Sequence, residues 1–179
     1  MKRDQSRVRT VALMGMLFSL AMTLSFFESF LAGLMTLPPG IKPGLSNIVV
    51  IFAMLSLSRR EAFLLALLKA GFVLLTRGAI ASLLSLSGGL LSVAVMALLA
   101  GSARVTVGCR LLSVLGGVSH NTAQLAVAAL LIGNHYLLYY LPVLLLAGIL
   151  TGLLTGSIYL SLEPYLKRLF DRPQRRPIR

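Results

Sequence analysis

The sequence predicts an all-α, polytopic membrane protein with six transmembrane helices and both termini in the cytoplasm. Three observations lead there. The chain is 57% hydrophobic and 12% charged, with a mean hydropathy of +0.89, which leaves far less polar surface than a soluble domain of 179 residues needs. Apolar stretches of about 17–25 residues recur along it, and none shows the alternating segments of roughly 10 residues that mark a membrane barrel. The basic residues collect at the ends of these stretches and sort to one side of the bilayer.

The first span runs from about Val11 to Phe30. Lys2, Arg3, Arg7 and Arg9 precede it in the manner of a signal peptide, but no small-x-small cleavage site follows, so it reads as a retained helix. In the connector Leu37-Pro38-Pro39-Gly40-Ile41-Lys42-Pro43-Gly44, the prolines exclude a continuous helix. A short second span covers about Leu45 to Leu57, and Ser58-Arg59-Arg60-Glu61 turns the chain into a third, about Ala62 to Leu75. Arg77-Gly78 is expected to open a connector that lasts until the fourth span, Leu86 to Gly101. A loop with Arg104 and Arg110 leads to the fifth, about Leu115 to Ile132. Gly133-Asn134-His135 breaks that helix, and the sixth runs from about Leu138 to Leu160, closed by Glu163-Pro164. Residues 1–166 thus form one membrane domain and residues 167–179 a basic cytoplasmic tail.

Charge tests this layout. With both ends inside, the cytoplasmic face holds 14 of the 17 lysines and arginines, the outer face holds Lys42 and Arg77, and Lys69 lies within the third span. An odd number of spans would scatter them, so the bias supports six. The +12 net charge does not point to nucleic acid, because the basic residues flank apolar segments instead of interleaving with aromatics on one face. The tail reads as an anchor beside anionic lipid headgroups. A single cysteine, Cys109, rules out an intrachain disulfide.

Polar residues at membrane depth are the candidates for function. A mid-span lysine costs about 2.5–3.5 kcal/mol even on the lenient insertion scale, so Lys69 is read as lining a site; snorkelling or an ion pair with Glu28 are the structural alternatives. Glu28 and Arg77 fall near the outer ends of their spans, where Arg77 would also serve as an interface anchor. Asn47 lies just inside the outer start of the second span. His120, Asn121 and Gln124 share one helical face at spacings of three and four, and line a cavity unless they merely bond neighbouring helices. His120 is the deepest of the three, read as a supporting group. Tyr136, Tyr139 and Tyr140 beside His135 suggest an aromatic belt. Small residues recur every four positions at Gly15-Ser19-Thr23, Ala21-Ser25-Ser29-Gly33 and Gly148-Gly152-Gly156, which lets helices approach closely within the fold or against a partner.

The segments Leu37–Asn47 and Gly117–Gln124, with Ser87-Gly88-Gly89-Leu90 and Arg77, resemble the bacterial membrane family called heptaprenyl diphosphate synthase component I, or Gx transporters. The resemblance covers about residues 8–165. That family is similar to the S components of energy-coupling-factor transporters, and the likeness implies a six-helix subunit in the plasma (inner) membrane that binds a small solute. A separate membrane subunit and two ATPases would then supply the energy. S components often carry Ala-x-x-x-Ala on the first helix; here Met16 follows Ala12, and Gly15–Ser19 is the nearest substitute.

The leading expectation is therefore a non-enzymatic, substrate-binding uptake subunit. Its site would be lined by Glu28, Lys42, Asn47, Lys69, Arg77, Asn121, Gln124 and His120, under a lid formed by residues 37–44. Lys69 and Arg77 favour a solute with an anionic group, and no cofactor or metal is indicated. The alternative is a non-catalytic accessory component of polyprenyl diphosphate synthesis. The five acids, Asp4, Glu28, Glu61, Glu163 and Asp171, are scattered, whereas such synthases pair aspartate-rich motifs around Mg²⁺. No Walker-type loop is present.

Overall fold

The computed structural model describes residues 2–34, 44–100 and 108–170. The elements are α1 (Lys2–Leu34), α2 (Leu45–Phe52), a π-helical segment (Ala53–Leu57), α3 (Arg59–Arg77), α4 (Ala79–Ala100), α5 (Cys109–Ile132), a 3-10 segment (His135–Tyr140) and α6 (Leu141–Phe170). Four stretches are long and apolar enough to cross a membrane: Thr10–Leu34, Ala79–Ala100, Cys109–Ile132 and His135–Tyr165. The protein is an all-α, polytopic membrane protein. Leu45–Leu57 is a shorter apolar helix; at a rise of about 1.5 Å per residue it reaches only about 20 Å.

The α3–α4 corner departs from the sequence expectation. In place of a connector up to Leu86, the chain turns on Gly78 alone, whose φ of 85° suits glycine, and α4 starts at Ala79. Gly78 N–H caps α3 on Leu74 O at 3.1 Å, and Ser82 N–H returns to Gly78 O at 3.1 Å. The Ser82 hydroxyl then donates to Ala70 O at 2.9 Å and ties the two helices together. Ala79 to Ser85, expected as connector, is helical, and Leu86-Ser87-Gly88-Gly89 continue the same helix. The Ser87 hydroxyl bonds back to Leu84 O. A Cβ on Gly88 would lie 2.9 Å from His120 and Gln124 atoms, and one on Gly89 would lie 3.4 Å from Ala66. These glycines admit neighbouring helices.

Two other boundaries move. Arg110 lies in the first turn of α5, not in a loop, since that helix begins at Cys109. The last helix passes through Pro164 to Phe170, so Glu163-Pro164 does not end it. Proline there removes one backbone hydrogen bond, a loss the helix tolerates in its final turns. Ser58 caps α3: its hydroxyl oxygen accepts from Arg60 N–H at 3.2 Å, and the hydroxyl donates to Glu61.

Around the bundle the neighbours run α1, α2, α6, α5, α4, α3 and back to α1. One end of this ring is dry. Met14, Leu17, Val50, Phe52, Leu65, Val93, Met96, Leu112 and Tyr159 form its core, drawn from the first halves of α1, α3 and α5 and the second halves of α4 and α6. The edge-to-face pair Phe18–Phe72, with centroids 6.4 Å apart, packs beside it.

The Gly148-Gly152-Gly156 stripe faces α5, not a partner. Cβ atoms built on these glycines would lie 3.0 Å from Val118 Cα, 2.5 Å from Val114 Cα and 2.9 Å from Arg110 Cα. The α1 stripes divide. Ala21 and Ser25 are buried, Ser29 is partly buried, and Gly15, Ser19, Thr23 and Gly33 are exposed. Gly152→Val should force α5 and α6 apart and cost about 1–3 kcal/mol in equilibrium unfolding in mixed micelles. Gly15→Val, with open space around it, should leave the same measurement unchanged; equal effects would refute the packing assignment.

Candidate functional site

The other end of the ring encloses a cavity of about 240 Å³ to which all six helices contribute. Glu28 comes from α1, Asn47 from α2, Lys69 and Arg77 from α3, and His120, Asn121 and Gln124 from α5. Every candidate residue among the described ones therefore borders one space. Lys42, and the proposed lid apart from Gly44, lie outside the described residues.

The geometry begins with Glu28, which is 3% exposed. α2 starts after Gly44, a left-handed residue (φ 78°) with no side chain to cap the helix. Glu28 supplies the cap from another helix. Its Oε1 accepts from Ser46 N–H at 3.1 Å and its Oε2 from the Ser46 hydroxyl at 2.9 Å. The carboxylate thus meets the positive end of α2 and satisfies a first-turn N–H. Lys69 donates to the Ser46 hydroxyl at 2.6 Å and to Asn47 Oδ1 at 3.2 Å. Glu28 and Lys69, expected as an ion-pair alternative, are joined through the Ser46 hydroxyl, and the linkage holds α1, α2 and α3 together.

Arg77 is not simply an outward interface anchor. Its Nη2 donates to Ser25 O at 3.3 Å and to the Ser29 hydroxyl, clasping α1 on either side of Glu28. Both bonds use Nη2, which leaves the rest of the five-donor fork for other acceptors. Lys69 and Arg77 with Glu28 as the lone carboxylate give the described lining a net positive charge.

The α5 residues divide their work. Asn121 Nδ2 donates to Leu144 O at 2.9 Å, so it bonds α6 as well as lining the cavity. Gln124 and His120 pack over Gly88. His120 is not set behind the lining: it borders the 240 Å³ cavity directly, as well as a small adjoining void of about 20 Å³ on the side of Met96 and Ser113. Depth along one helix hid this, because Gly88 opens the facing wall.

Sequence reasoning missed Ser46, Ser25, Ser85 and Thr151, which also line the cavity. Ser25 and Ser29 flank Glu28 at helical spacing, a signal that could have found them. Ser46 stood beside Asn47 with nothing to distinguish it. Outside the cavity, Tyr136 and Tyr139 stack with centroids 6.2 Å apart and remain exposed, while Tyr140 turns to a separate apolar chamber. Among the described residues no three His, Cys, Asp or Glu side chains come together to hold a metal.

Removing the shared hydroxyl should loosen the three-helix linkage. Ser46→Ala should lose about 1–3 kcal/mol in mixed-micelle unfolding, while Ser46→Thr, which keeps the hydroxyl, should recover most of it. Equal stability of all three proteins would show that the linkage contributes nothing.

No curated protein and no solved structure matches the chain. No match connects it to S components. The profile of heptaprenyl diphosphate synthase component I matches residues 17–162, from within α1 to within α6, and the chain belongs to that family.

Proposed function

We propose that the protein is a non-catalytic membrane component of polyprenyl (heptaprenyl) diphosphate synthesis, which binds the anionic end of a pathway molecule in its six-helix cavity. Family membership over residues 17–162 carries this reading. The chemistry of the cavity supports it, since guanidinium and ammonium donors suit phosphate oxygens. Chain elongation is assigned to a separate soluble subunit, because Glu28 is the only acid lining the cavity among the described residues. Deleting the protein should shorten or abolish the polyprenyl chain of the cell's quinones, and the soluble synthase should co-purify with it. Unchanged quinones and no co-purification would sink the proposal.

A second reading keeps the uptake subunit, with partner ATPases supplying energy. The cavity favours it, being ringed by six helices and backed by a dry core, as a captured anionic solute requires. Solute uptake that depends on those ATPases and is abolished by Lys69→Ala, with quinones intact, would select it.

For either role we place six spans in the cytoplasmic membrane with both ends inside, on the strength of the basic-residue bias. The one cysteine, Cys109, allows a direct check. A membrane-impermeant maleimide should label it in inverted vesicles and not in right-side-out ones; Cys109→Ala carrying Lys42→Cys should show the opposite pattern.

A further inference from the structure

The six helices are joined in two different ways. From α3 to α6 each helix is interlocked with the next. Ser82 of α4 donates to Ala70 O of α3 at 2.9 Å. A Cβ on Gly88 would lie 2.9 Å from His120, one on Gly116 2.7 Å from Met96 Sδ, and one on Gly117 2.7 Å from Gly148 O. Contacts this close leave no room for one helix to shift against its neighbour. Among the described residues no glycine locks α1 or α2 to another helix in that way. Around Gly15 and Gly33 there is nothing within 4 Å, and a Cβ on Gly44 would meet only the Thr151 and Thr155 side chains of α6, at 3.4 Å, an ordinary van der Waals contact.

What holds α1 and α2 also differs from one end to the other. At the apolar end they are set in the dry core through Met14, Leu17, Phe52, Ala53 and Met54. There the π-helical segment Ala53–Leu57 and Ser58, whose backbone is extended at φ −161° and ψ 171°, join α2 to α3. At the cavity end the ties are side chains. Glu28 binds Ser46 and makes α1 and α2 one unit. Lys69 and Arg77 then tether that unit to α3 from the ends of long, flexible stems. Gly44 and Thr151, the two sides of the seam between α2 and α6, both border the cavity. We propose that the α1–α2 unit is a door, which swings on residues 53–58, parts Gly44 from Thr151 and opens the cavity along the α2–α6 seam while α3 to α6 stay fixed. An arm pinned at a packed end and held elsewhere by a few polar bonds opens at low cost, and element-terminal residues such as Ser58 absorb the turn. Arg77 is the latch, because its guanidinium reaches both Ser25 and Ser29 on α1. The device does not depend on which molecule the cavity takes.

Distances between paired spin labels, measured on the full chain in nanodiscs with Cys109→Ala as background, test the door. Phe30→Cys on α1 with Leu131→Cys on α5 reports the cavity end. Leu75→Cys on α3 with Leu131→Cys reports the fixed helices, and Val11→Cys with Leu111→Cys reports the apolar end; these positions are all exposed. The first pair should show a second distance longer by about 5 Å, the travel of an arm about 20 Å long turned through about 15°. Arg77→Gln removes the latch and should raise the longer population at least ~10-fold relative to the shorter one, while the other two pairs keep their distances. Ser29→Ala, which removes one latch bond and no charge, should raise it at least ~2-fold and serves should Arg77→Gln not fold. A single distance for the first pair in every variant would overturn the door. So would equal lengthening of the Leu75–Leu131 pair, since the whole bundle would then be loosening.

Discussion

One buried carboxylate organises the cavity end of the molecule. Glu28 sits in a helix that would otherwise need nothing but apolar residues at that depth, where an uncompensated charge is expensive. It persists because two donors of Ser46 reach it and because Lys69 reaches Ser46. The start of α2 gains from the same contact, since Gly44 offers no side chain of its own. Three helices are thereby held by polar bonds around a space they do not fill. Replacing the group with a hydrocarbon would pack well and leave no reason for the cavity to stay polar.

The opposite side of the ring is held by different means. α4, α5 and α6 approach through glycines, with backbone close to backbone at Gly152 and Val114 and side chains over Gly88. In a bilayer, where water does not drive helices together, such close packing replaces the hydrophobic effect as the source of association. Polar bonding on α1–α3 and close packing on α4–α6 together produce a bundle with an apolar core at one end and a polar-lined cavity at the other. Every described candidate residue lies at the polar end, and the apolar chamber lies to one side of it.

The expected polar residues were legible for a simple reason: in an apolar helix each is costly enough to need a purpose. Lys69, Glu28 and the His120-Asn121-Gln124 face announced themselves that way, and the cavity gathers them. Ser46, Ser25 and Thr151 did not, because a hydroxyl satisfies itself on its own helix at little cost and its presence carries no signal. Boundaries failed for a related cause. Arg77-Gly78 has the composition of a connector's start, and Glu163-Pro164 that of a stop, but helix ends answer to packing and to the partners of a few backbone groups more than to local propensity.

The sequence alone determined what depends on solvent. Hydropathy set the membrane class and the helical elements, and the family profile is read from the same residues, because transfer from water to hydrocarbon acts on each segment wherever its neighbours lie. Tertiary structure decided what depends on contact. It turned the Gly148 stripe inward onto α5, joined Glu28 to Lys69 through a serine, drew Arg77 back onto α1, and set an apolar chamber beside a charged cavity. Those outcomes rest on distances of about 3 Å between residues far apart in the chain, and no periodicity along one helix encodes which face meets which neighbour.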